Sequence, residues 1–314
     1  ILPAYAPPPA PLPSQVQEFA PQRAFFGEFA ELVGYTMERW VEPKDRLTVR
    51  LLWRPLAQTA VDYTLCIQAF DRSRCLIGEV HRFPGQGRLA TTRWSPGSVF
   101  VESAIIPIDS PVAEPHMAWV EVSFYTTETR QPVRVTDAMG NALGASLRLA
   151  PFKIRPTVRQ ALTNARAESY RFGPAIRLLH ASSVVDVHGP RPSTTVRLQW
   201  LAAALPEKDY TISLQWRDEH NNLLQQVDEQ PLQGANPTSF WEPGECVADR
   251  HTLQSPPQLV PGVYRLWMCL YDGSSLQRLP VHDAQGREQT DSELLLASMT
   301  VHTDGTVDVS GGYP

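Results

Sequence analysis

Long hydrophobic runs and clustered positive charge are both missing from this sequence. No stretch of about 18 apolar residues occurs in the 314-residue chain, so no segment has the pattern of a membrane-spanning helix. The 33 Asp and Glu residues outnumber the 28 Lys and Arg residues, and the formal net charge is −5. Proteins that bind nucleic acid carry a clustered excess of Lys and Arg. We therefore expect no nucleic-acid partner.

Cysteine is scarce. The four cysteines are Cys66, Cys75, Cys246 and Cys269. None belongs to a C-x-x-C pair, which argues against a zinc knuckle and against a thioredoxin-type redox motif. Their even number leaves disulfides open, but the internal repeat described below does not preserve their positions. We therefore expect no structural bridge shared by the two copies, and we favour free thiols.

Sequence signatures of catalytic and metal sites are absent as well. The eight histidines are scattered, without an H-E-x-x-H motif, and no serine lies in a G-x-S-x-G elbow. Gly85–Arg88 lacks the Lys-Ser/Thr of a phosphate-binding loop. The nearest approach to a cluster is Asp249-Arg250-His251, which we interpret as an exposed strand edge. We expect no catalytic residue, no metal and no cofactor.

The clearest signal that the sequence does contain is an internal repeat. An offset of 147 positions places Trp53 on Trp200. The same offset aligns Thr48–Leu51 with Thr195–Leu198, Asp62–Thr64 with Asp209–Thr211, Pro84–Gly87 with Pro231–Gly234, and Trp94–Gly97 with Trp241–Gly244. At an offset of 146, Tyr125 falls on Tyr271. A period of this length indicates two homologous domains rather than a solenoid of short repeats.

The repeat sets the predicted domain boundaries. Domain 1 is predicted over residues 24–154 and domain 2 over residues 171–303. Residues 1–23 contain APPPAPLP and are predicted to be a Pro-rich linker. Residues 155–170 are predicted to be an inter-domain linker with a short helix, and residues 304–314 a loose tail. The chain begins with Ile and has no signal-peptide pattern, which indicates a piece of a longer protein or a processed form.

Alternating side chains predict strands in both copies. Tyr63–Ala69 and Tyr210–Trp216 each place apolar residues at every second position, which is typical of a half-buried strand. Turn residues separate such segments about every ten positions, and little helix is indicated. The sequence therefore predicts an all-β fold of two tandem antiparallel β-sandwich domains. An immunoglobulin-like topology is favoured, and a jelly roll is the alternative.

Two repeated motifs admit both a functional and a structural interpretation. In the W-x-P-G motif, the functional interpretation is that Trp94 and Trp241 are exposed and stack on a sugar ring through their flat apolar faces. The structural interpretation is that they pack over the end of the sandwich. Asp62 and Asp209 are either acids for catalysis or ligands for the turn that enters a strand. Because each motif recurs in both copies, we favour the structural interpretation. Ser98 replaces the acidic Glu245 in the first copy.

Trp267 and Tyr271 are the candidate carbohydrate-binding residues. The segment VYRLWMCLY places them opposite an apolar stripe that includes Leu266 and Met268. If that opposite face is exposed, the two rings form an aromatic platform for a glycan. If it is covered, they belong to an interface.

The segments ILPAYAPPP, FG…ELVGY, PTSFWEPGE and PGVYRLWMCLYD resemble the C-terminal extracytoplasmic part of bacterial multi-pass membrane glycosyltransferases. These enzymes are of the dolichyl-phosphate-mannose-protein mannosyltransferase type, similar to glycosyltransferase family 39, and are best represented in Chloroflexi. The resemblance covers nearly the whole chain. It implies an extracytoplasmic location and tethering to the cytoplasmic membrane through an upstream membrane domain of the same polypeptide. Because the family's catalytic acids lie in membrane loops, it implies no catalytic residue here.

Three functions are consistent with these observations. The first is a non-catalytic accessory module of a membrane glycosyltransferase, which recognises a glycan, an acceptor or another cell-envelope component. The second is a structural spacer or protein-interaction module without a ligand of its own. The third, and the least favoured, is an independent glycan hydrolase, which requires two carboxylates across a cleft that the sequence does not single out.

Overall fold

The computed structural model describes residues 18–110, 115–155, 170–186, 193–254 and 259–311. Within these ranges the chain is all-β and contains no α-helix. It divides into two compact units, Ile1–Thr157 and Val158–Pro314, called domain 1 and domain 2 below. Each unit is a sandwich of two β-sheets, which confirms the predicted fold class. The short helix predicted in the linker falls on residues outside the described ranges.

Domain 1 contains eleven strands among its described residues. They are β1 (Ala20–Phe26), β2 (Ala30–Met37), β3 (Trp40–Val41), β4 (Arg46–Pro55), β5 (Tyr63–Asp71), β6 (Leu76–Arg82), β7 (Phe100–Pro107), β8 (His116–Thr126), β9 (Val135–Asp137), β10 (Ala142–Gly144) and β11 (Leu147–Ile154). One sheet has the order β10-β9-β1-β2-β4-β7, and the other has the order β3-β11-β8-β5-β6. Their pairs are antiparallel except for the short β3–β11 pair.

Domain 2 contains ten strands in the part that the structure describes. They are β12 (Tyr170–Phe172), β13 (Ile176–Asp186), β14 (Ser193–Ala202), β15 (Tyr210–Arg217), β16 (Leu223–Glu229), β17 (Cys246–Gln254), β18 (Gly262–Asp272), β19 (Val281–His282), β20 (Leu294–Val301) and β21 (Val307–Gly311). One sheet has the order β17-β14-β13-β12-β19, and the other has the order β16-β15-β18-β20-β21.

The strand order identifies the immunoglobulin-like alternative. In domain 1, β2-β4-β7 are neighbours in one sheet and β11-β8-β5-β6 are neighbours in the other. The chain therefore changes sheets between β4 and β5, between β6 and β7, and between β7 and β8. This is the Greek-key connectivity of the immunoglobulin-like sandwich. The corresponding strands of domain 2, β13-β14-β17 and β20-β18-β15-β16, repeat it.

Each domain has its own core between its sheets. In domain 1, Phe26, Trp53 and Phe124 are fully buried and meet edge to face, with ring centroids 5.1–5.6 Å apart. In domain 2, Phe172 packs against Trp200 with a centroid distance of 5.5 Å. Offset or edge-on aromatic pairs of this kind contribute beyond the area that they bury. These aromatic rings therefore form the centre of each core, between the two sheets.

The W-x-P-G motif serves the fold. Trp94 and Trp241 are buried, and the Trp241 indole Nε1 donates to the Asn236 carbonyl oxygen at 2.9 Å. Trp94 packs against Phe29 and Phe100, with ring centroids 6.1 and 5.0 Å away. A surface role in sugar stacking is excluded by this burial, so the structural interpretation is confirmed.

The Asp-Tyr-Thr motif is tied to the same corner. The Asp62 carboxylate accepts a hydrogen bond from the Thr92 N–H at 3.0 Å, and Asp209 accepts one from the Ser239 N–H at 3.0 Å. The backbone N–H of Tyr210 donates to the Thr238 hydroxyl at 2.8 Å. Both aspartates therefore hold a turn beside a strand, as predicted, because a carboxylate satisfies backbone N–H groups that the sheet leaves unpaired.

The hairpin turns follow the predicted Asp and Gly chemistry. Asp137 accepts from the N–H groups of Met139 and Asn141 at 2.8 Å each. In domain 2, Asp283 makes the equivalent bonds. Gly140 lies at the position that requires a positive φ, 86°, which glycine adopts without a Cβ clash.

Three details of the predicted organisation are wrong. β1 starts at Ala20, inside the segment predicted as a Pro-rich linker, because it pairs with β2. Tyr170, predicted as the end of the inter-domain linker, begins β12. The predicted loose tail contains β21, Val307–Gly311, which pairs antiparallel with β20. Each of these strands pairs antiparallel with the next or preceding strand along the chain, in a hairpin that the sequence pattern did not reveal.

Candidate functional site

Trp267 and Tyr271 both lie on β18, on the face directed away from the domain 2 core. Leu266 and Met268, on the opposite face of the strand, are fully buried, as the alternation predicted. Both candidate rings are half-buried. Cys269, which lies between them, is only 3% exposed. Positions four apart on a strand are separated by roughly 13 Å, so one sugar ring cannot stack on both.

Trp267 lines a pocket of about 450 Å³ on this outer face. We call it the Trp267 pocket. Its lining residues are Arg217, Asp218, Asn221, Arg265, Trp267, Gln289, Thr290, Asp291, Glu293, Leu294 and Leu295. They come from β15, β18, β20 and the turns beside them. Tyr271 is not among them, so the structure groups Trp267 with polar side chains rather than with the second predicted ring.

One acidic side chain of the pocket is held by two arginines. The Glu293 carboxylate is nearly buried and accepts from Arg217 Nη1 at 2.8 Å. Arg217 Nη2 binds its other oxygen, and Arg278 Nη1 lies 2.8 Å from that oxygen. Glu293 is therefore fixed in place by two arginines at the floor of the pocket. Both of its oxygens already accept hydrogen bonds from guanidinium N–H groups, so neither is free to contact a substrate.

A second acid, Asp218, is held by a turn. Its carboxylate accepts from the N–H groups of His220 and Asn222 at 2.9 and 2.8 Å. Hydrogen bonds from the Asn222 side chain and backbone lead the effects that lower the pKa of Asp218 below its ordinary value. Asp218 thus stays ionised near neutral pH and serves the hairpin between β15 and β16.

The remaining polar groups of the pocket are available for a ligand. Within the described residues, the side chains of Arg265, Trp267 and Asp291 have no hydrogen bond or ion pair. Arg265 precedes Trp267 by two positions and lies on the same face of β18. The pocket therefore offers one indole face and two free groups of opposite charge, the Arg265 guanidinium and the Asp291 carboxylate.

Tyr271 lies in a different environment on the same strand. Burial raises the pKa of its phenol above the ordinary value, and the nearby Asp228 carboxylate acts in the same direction. A hydrogen bond with the Thr211 side chain opposes these effects. Tyr271 is thus a neutral, partly covered ring beside β15 and β16. It belongs to the corner that corresponds to the Tyr125 pocket of domain 1, described below.

The face of domain 1 that corresponds to the Trp267 pocket is filled by an ionic cluster. By the offset of 146, Glu121 replaces Trp267 and Trp119 replaces Arg265. The Arg148 guanidinium covers the Trp119 ring at 4.3 Å, and the indole donates to Glu121 at 3.2 Å. Partial burial raises the pKa of Glu121, but hydrogen bonds from Ser146 and Trp119 and nearby arginines outweigh it, so the pKa is lowered.

A second pocket, of about 380 Å³, lies in domain 1, and the sequence analysis did not predict it. We call it the Tyr125 pocket. It is lined by Thr64, His81, Arg82, Phe83, Tyr125, Thr127 and Arg130. Two of these seven residues are arginines and one is a histidine, and none is acidic. The repeat had aligned two of its residues, Thr64 with Thr211 and Tyr125 with Tyr271, without indicating a pocket.

The structure overturns the interpretation of Asp249-Arg250-His251 as an exposed strand edge. β17 is an edge strand, but Asp249 and His251 face inward and are 4% and 1% exposed. His251 Nε2 lies 2.7 Å from the Asp249 carboxylate, and Nδ1 lies 3.1 Å from Glu229. Val247 and Leu253 share the inward face, and this two-residue period was the sequence signal for burial.

The His251 imidazole is stabilised in its charged form. Burial lowers its pKa, but hydrogen bonds and charge attraction from Asp249 and Glu229 outweigh this, and the pKa is raised above the ordinary value. Both carboxylates accept hydrogen bonds, so a doubly protonated ring satisfies both. Asp249 also accepts from the backbone N–H of Leu232 at 2.9 Å. The arrangement anchors the P-x-x-G loop.

Domain 1 keeps the buried acid but uses another cation. Glu102, at the position of Asp249, is completely buried and lies 2.8 Å from Arg82 Nη2. It also accepts a hydrogen bond from the Gly85 N–H in the P-x-x-G loop. These acids therefore support the fold in both domains.

No metal site or membrane-spanning helix is found in the described ranges. No three His, Cys, Asp or Glu side chains there are arranged to hold a metal ion. None of the helices described in the structure is long and apolar enough to cross a membrane. All four cysteines are free, with Cys66 and Cys269 buried. Burial raises the pKa of the Cys269 thiol, which favours the unreactive protonated form.

No protein-family model and no curated protein matches this sequence. Among solved structures, a glycosyl hydrolase family 2 member from Bacteroides cellulosilyticus has 8% identity and a TM-score of 0.28, over 87% of this chain and 31% of that chain. A second structure described in the same terms has 8% identity and a TM-score of 0.26, over 86% and 30%. A putative beta-galactosidase from Bacteroides fragilis has 11% identity and a TM-score of 0.25, over 86% of this chain and 36% of that chain.

The chain thus spans about a third of the length of each of these proteins. Similarity at these identities and TM-scores carries no conclusion about the activity or the ligand of this chain. The fold assignment rests on the strand order described above.

Proposed function

We propose that the two domains form a non-catalytic accessory module that recognises a glycan through the Trp267 pocket. The observation that carries the proposal is the half-buried Trp267 indole, which lines the pocket together with Arg265 and Asp291, whose side chains have no hydrogen bond or ion pair among the described residues. An indole plane stacks on the C–H face of a sugar ring, and neighbouring polar groups bind its hydroxyls. The opposite charges of Arg265 and Asp291 suit a neutral saccharide better than a strongly charged one.

The state of the carboxylates supports binding rather than hydrolysis. A glycosidase needs one carboxyl group with a raised pKa as the acid, and a second as the nucleophile or base. In the Trp267 pocket, Glu293 is held by two arginines and Asp218 is held ionised by its turn. Only Asp291 has a free carboxylate among the acids that line the pocket. We therefore propose no catalytic role.

The wider setting of the proposal comes from the resemblance given above. We propose that this module belongs to a membrane glycosyltransferase, lies outside the cytoplasmic membrane and is tethered by an upstream membrane domain. In that setting the Trp267 pocket holds a glycan or an acceptor near the enzyme. A deletion of residues 170–311 in the complete protein that leaves transfer to every acceptor unchanged would count against this assignment.

The direct test follows indole N–H signals by NMR while neutral cell-envelope oligosaccharides are added. The Trp267 signal is expected to shift saturably. Trp200 and Trp216, which are fully buried in the same domain, are expected to remain unchanged. Trp267→Ala should abolish the heat of binding in calorimetry. Trp119→Ala, an equal truncation at a half-buried indole of domain 1, is the matched control and should leave binding intact.

Two results would contradict the proposal. One is the absence of a saturable shift with every oligosaccharide tested. The other is binding that survives Trp267→Ala, since the sugar would then lie elsewhere. Either result would favour the second candidate, a structural or protein-interaction module.

One observation favours that second candidate. Phe19, Val33 and Leu52 form a small apolar cluster on β2, β4 and the segment before β1, apart from the main core. Beside it, Val101 and Ile105 on the edge strand β7 are 42% and 51% exposed. Apolar side chains on an edge strand suit contact with another protein surface. Charged substitutions at Val101 and Ile105 would test this role without touching the Trp267 pocket.

A further inference from the structure

We infer that the Tyr125 pocket of domain 1 binds an anionic group, a carboxylate or a phosphate. The inference is independent of the glycan proposed for domain 2. It rests on the side chains that converge on the pocket and on a comparison that the internal repeat provides.

The donors of the pocket converge around the Tyr125 hydroxyl. Arg130 Nη1 donates to this oxygen at 3.0 Å, and the Arg130 guanidinium lies 5.0 Å from the ring centroid. His81 Nδ1 lies 3.2 Å from the same oxygen. The hydroxyls of Thr64 and Thr127 are 3.0 Å apart. Because one hydroxyl of such a pair donates to the other, one hydrogen remains for a ligand.

The charges of the pocket leave one cation uncompensated. Arg82 is paired with the buried Glu102, and His81 Nε2 lies 2.9 Å from Glu79. Arg130 has no ion pair with any described acid, and its hydrogen bond from Nη1 to the Tyr125 hydroxyl leaves other guanidinium N–H groups for a ligand. Guanidinium N–H groups are well suited to carboxylate and phosphate oxygens. An arriving anion would therefore meet Arg130 first.

Domain 2 has the same backbone at this place. Tyr125 and Tyr271 each form an isolated bridge to the turn that follows their strand. In that turn, Arg130 has a φ of 57° and Leu276 a φ of 59°. The N–H of each of these two residues donates to the carbonyl four positions earlier. The two turns are therefore structurally equivalent.

The side chains on that common backbone have diverged in charge. Domain 2 has Asp228 for His81, Glu229 for Arg82, Gly273 for Thr127 and Leu276 for Arg130. Of the residues compared, only Tyr125 and Thr64 have the same residue type in domain 2, as Tyr271 and Thr211. The change from Arg82 to Glu229 accompanies the different buried ion pairs of the two domains, but no buried ion pair accounts for Arg130 at the position of Leu276. The cationic set is thus specific to domain 1, which supports a ligand-binding role there.

The test measures binding by calorimetry to four probes: inorganic phosphate, glucose 6-phosphate, glucuronate and glucose. The intact chain is expected to bind at least one of the three anions, whereas any binding of neutral glucose belongs to the Trp267 pocket and is expected to be insensitive to Arg130→Leu. Binding of phosphate alone identifies a free-ion site, whereas tighter binding of glucose 6-phosphate or glucuronate identifies a sugar-borne anion. Amide shifts of Thr64 and Thr127 in NMR spectra locate the contact.

The variants copy domain 2 into domain 1. Arg130→Leu is expected to weaken anion binding about tenfold or more, as loss of a charge-assisted hydrogen bond predicts. His81→Asp is expected to abolish it. Arg88→Leu removes an exposed arginine of the same domain that does not line the pocket, and it should change affinity less than about twofold, as expected for a solvent-screened charge that does not contact the ligand. Trp267→Ala should not change it.

Three results would overturn the inference. They are no binding of any anion by the intact chain, unchanged binding by Arg130→Leu, and equal losses in Arg130→Leu and Arg88→Leu. If a domain 1 variant fails to fold, the reciprocal change is decisive. Asp228→His with Leu276→Arg places the cations in domain 2, and we expect it to create a second anion site there. Its failure to do so in a folded protein would count against the inference.

Discussion

Buried ionic groups show most directly how single residues distinguish the two domains. Both domains bury one carboxylate that anchors the P-x-x-G loop, Glu102 and Asp249. Domain 1 supplies the Arg82 guanidinium as the cation. Domain 2 supplies His251, a titratable cation whose pKa is raised above its ordinary value by Asp249 and Glu229. Removal of a buried cation leaves an uncompensated charge, which costs more than a surface pair contributes.

This difference predicts a pH dependence confined to domain 2. The pKa of His251 is raised in the folded state by Asp249 and Glu229. Its contribution to the free energy of unfolding is therefore complete below the unfolded-state pKa of about 6.5. It is lost as the pH rises through the folded-state value, at up to about 1.4 kcal/mol per pH unit. Urea unfolding is measured at several values between about pH 6 and about pH 9, a range that spans the ordinary histidine pKa. The free energy of unfolding of domain 2 should fall as the pH rises.

The indole signals of Trp216 and Trp53 report domains 2 and 1 separately, because both rings are fully buried in different cores. In His251→Gln the pH dependence of the Trp216 transition should flatten, even though the variant is less stable throughout. The same slope in His251→Gln and in the unchanged chain would show that another group is responsible.

At the scale of strands and turns, local sequence patterns correctly predicted which side chains of β18 are buried and where the Asp-x-x-Gly turn lies. The alternation in β18 placed Leu266 and Met268 inward correctly, and the Asp-x-x-Gly pattern located the turn at Asp137. The exposure assigned to Asp249-Arg250-His251 was wrong, because charge was given more weight than the two-residue period of Val247 and Leu253. A buried charge is tolerated only with a partner, and Glu229 is distant in sequence.

The strand β21 is the clearest element that the sequence analysis missed. Its pairing with β20 depends on close approach at Gly311, which has a φ of 117°. A Cβ at this position would lie 2.7 Å from Ala297 Cα and 2.8 Å from the Leu296 carbonyl oxygen. A glycine is therefore required by both conformation and space.

We predict that Gly311→Ala detaches β21 while the rest of domain 2 remains folded. Hydrogen exchange should accelerate at the β20 amides that pair with Val307–Gly311, and the loss in stability should be about 1–3 kcal/mol. Gly262→Ala is the control, because its nearest neighbour is the Val260 carbonyl oxygen at 3.9 Å and it does not have a positive φ. Protection of β20 that is unchanged in Gly311→Ala would contradict the prediction.

At the scale of the whole molecule, the repeat specifies one architecture and two different surfaces. Core positions such as Trp53 and Trp200 coincide, whereas the outer face has Glu121 in one domain and Trp267 in the other. Sequence alone predicted the shared architecture, because the internal repeat aligns the core positions of the two domains. The pockets were harder to predict, since each is built from several strands that are distant along the chain. Trp267 was found, but its neighbour Arg265 was not.

Each pocket is lined entirely by residues of one domain, and each domain has a core of its own. The chain divides between Thr157 and Val158. We therefore predict that the two halves, produced separately with a cut at this point, each unfold in one cooperative transition. The first half should keep anion binding, and the second half should keep binding of the neutral glycan.

Calorimetry on the separate halves and on the intact chain checks this prediction. Affinities within about twofold, or roughly 0.4 kcal/mol, of the intact values would show that each site is complete within its domain. The strand β21 is retained in the second half, so its loss does not complicate the comparison. If a half folds but its affinity falls tenfold, about 1.4 kcal/mol, its site requires the other domain. The assignment of separate sites to separate domains would then be wrong.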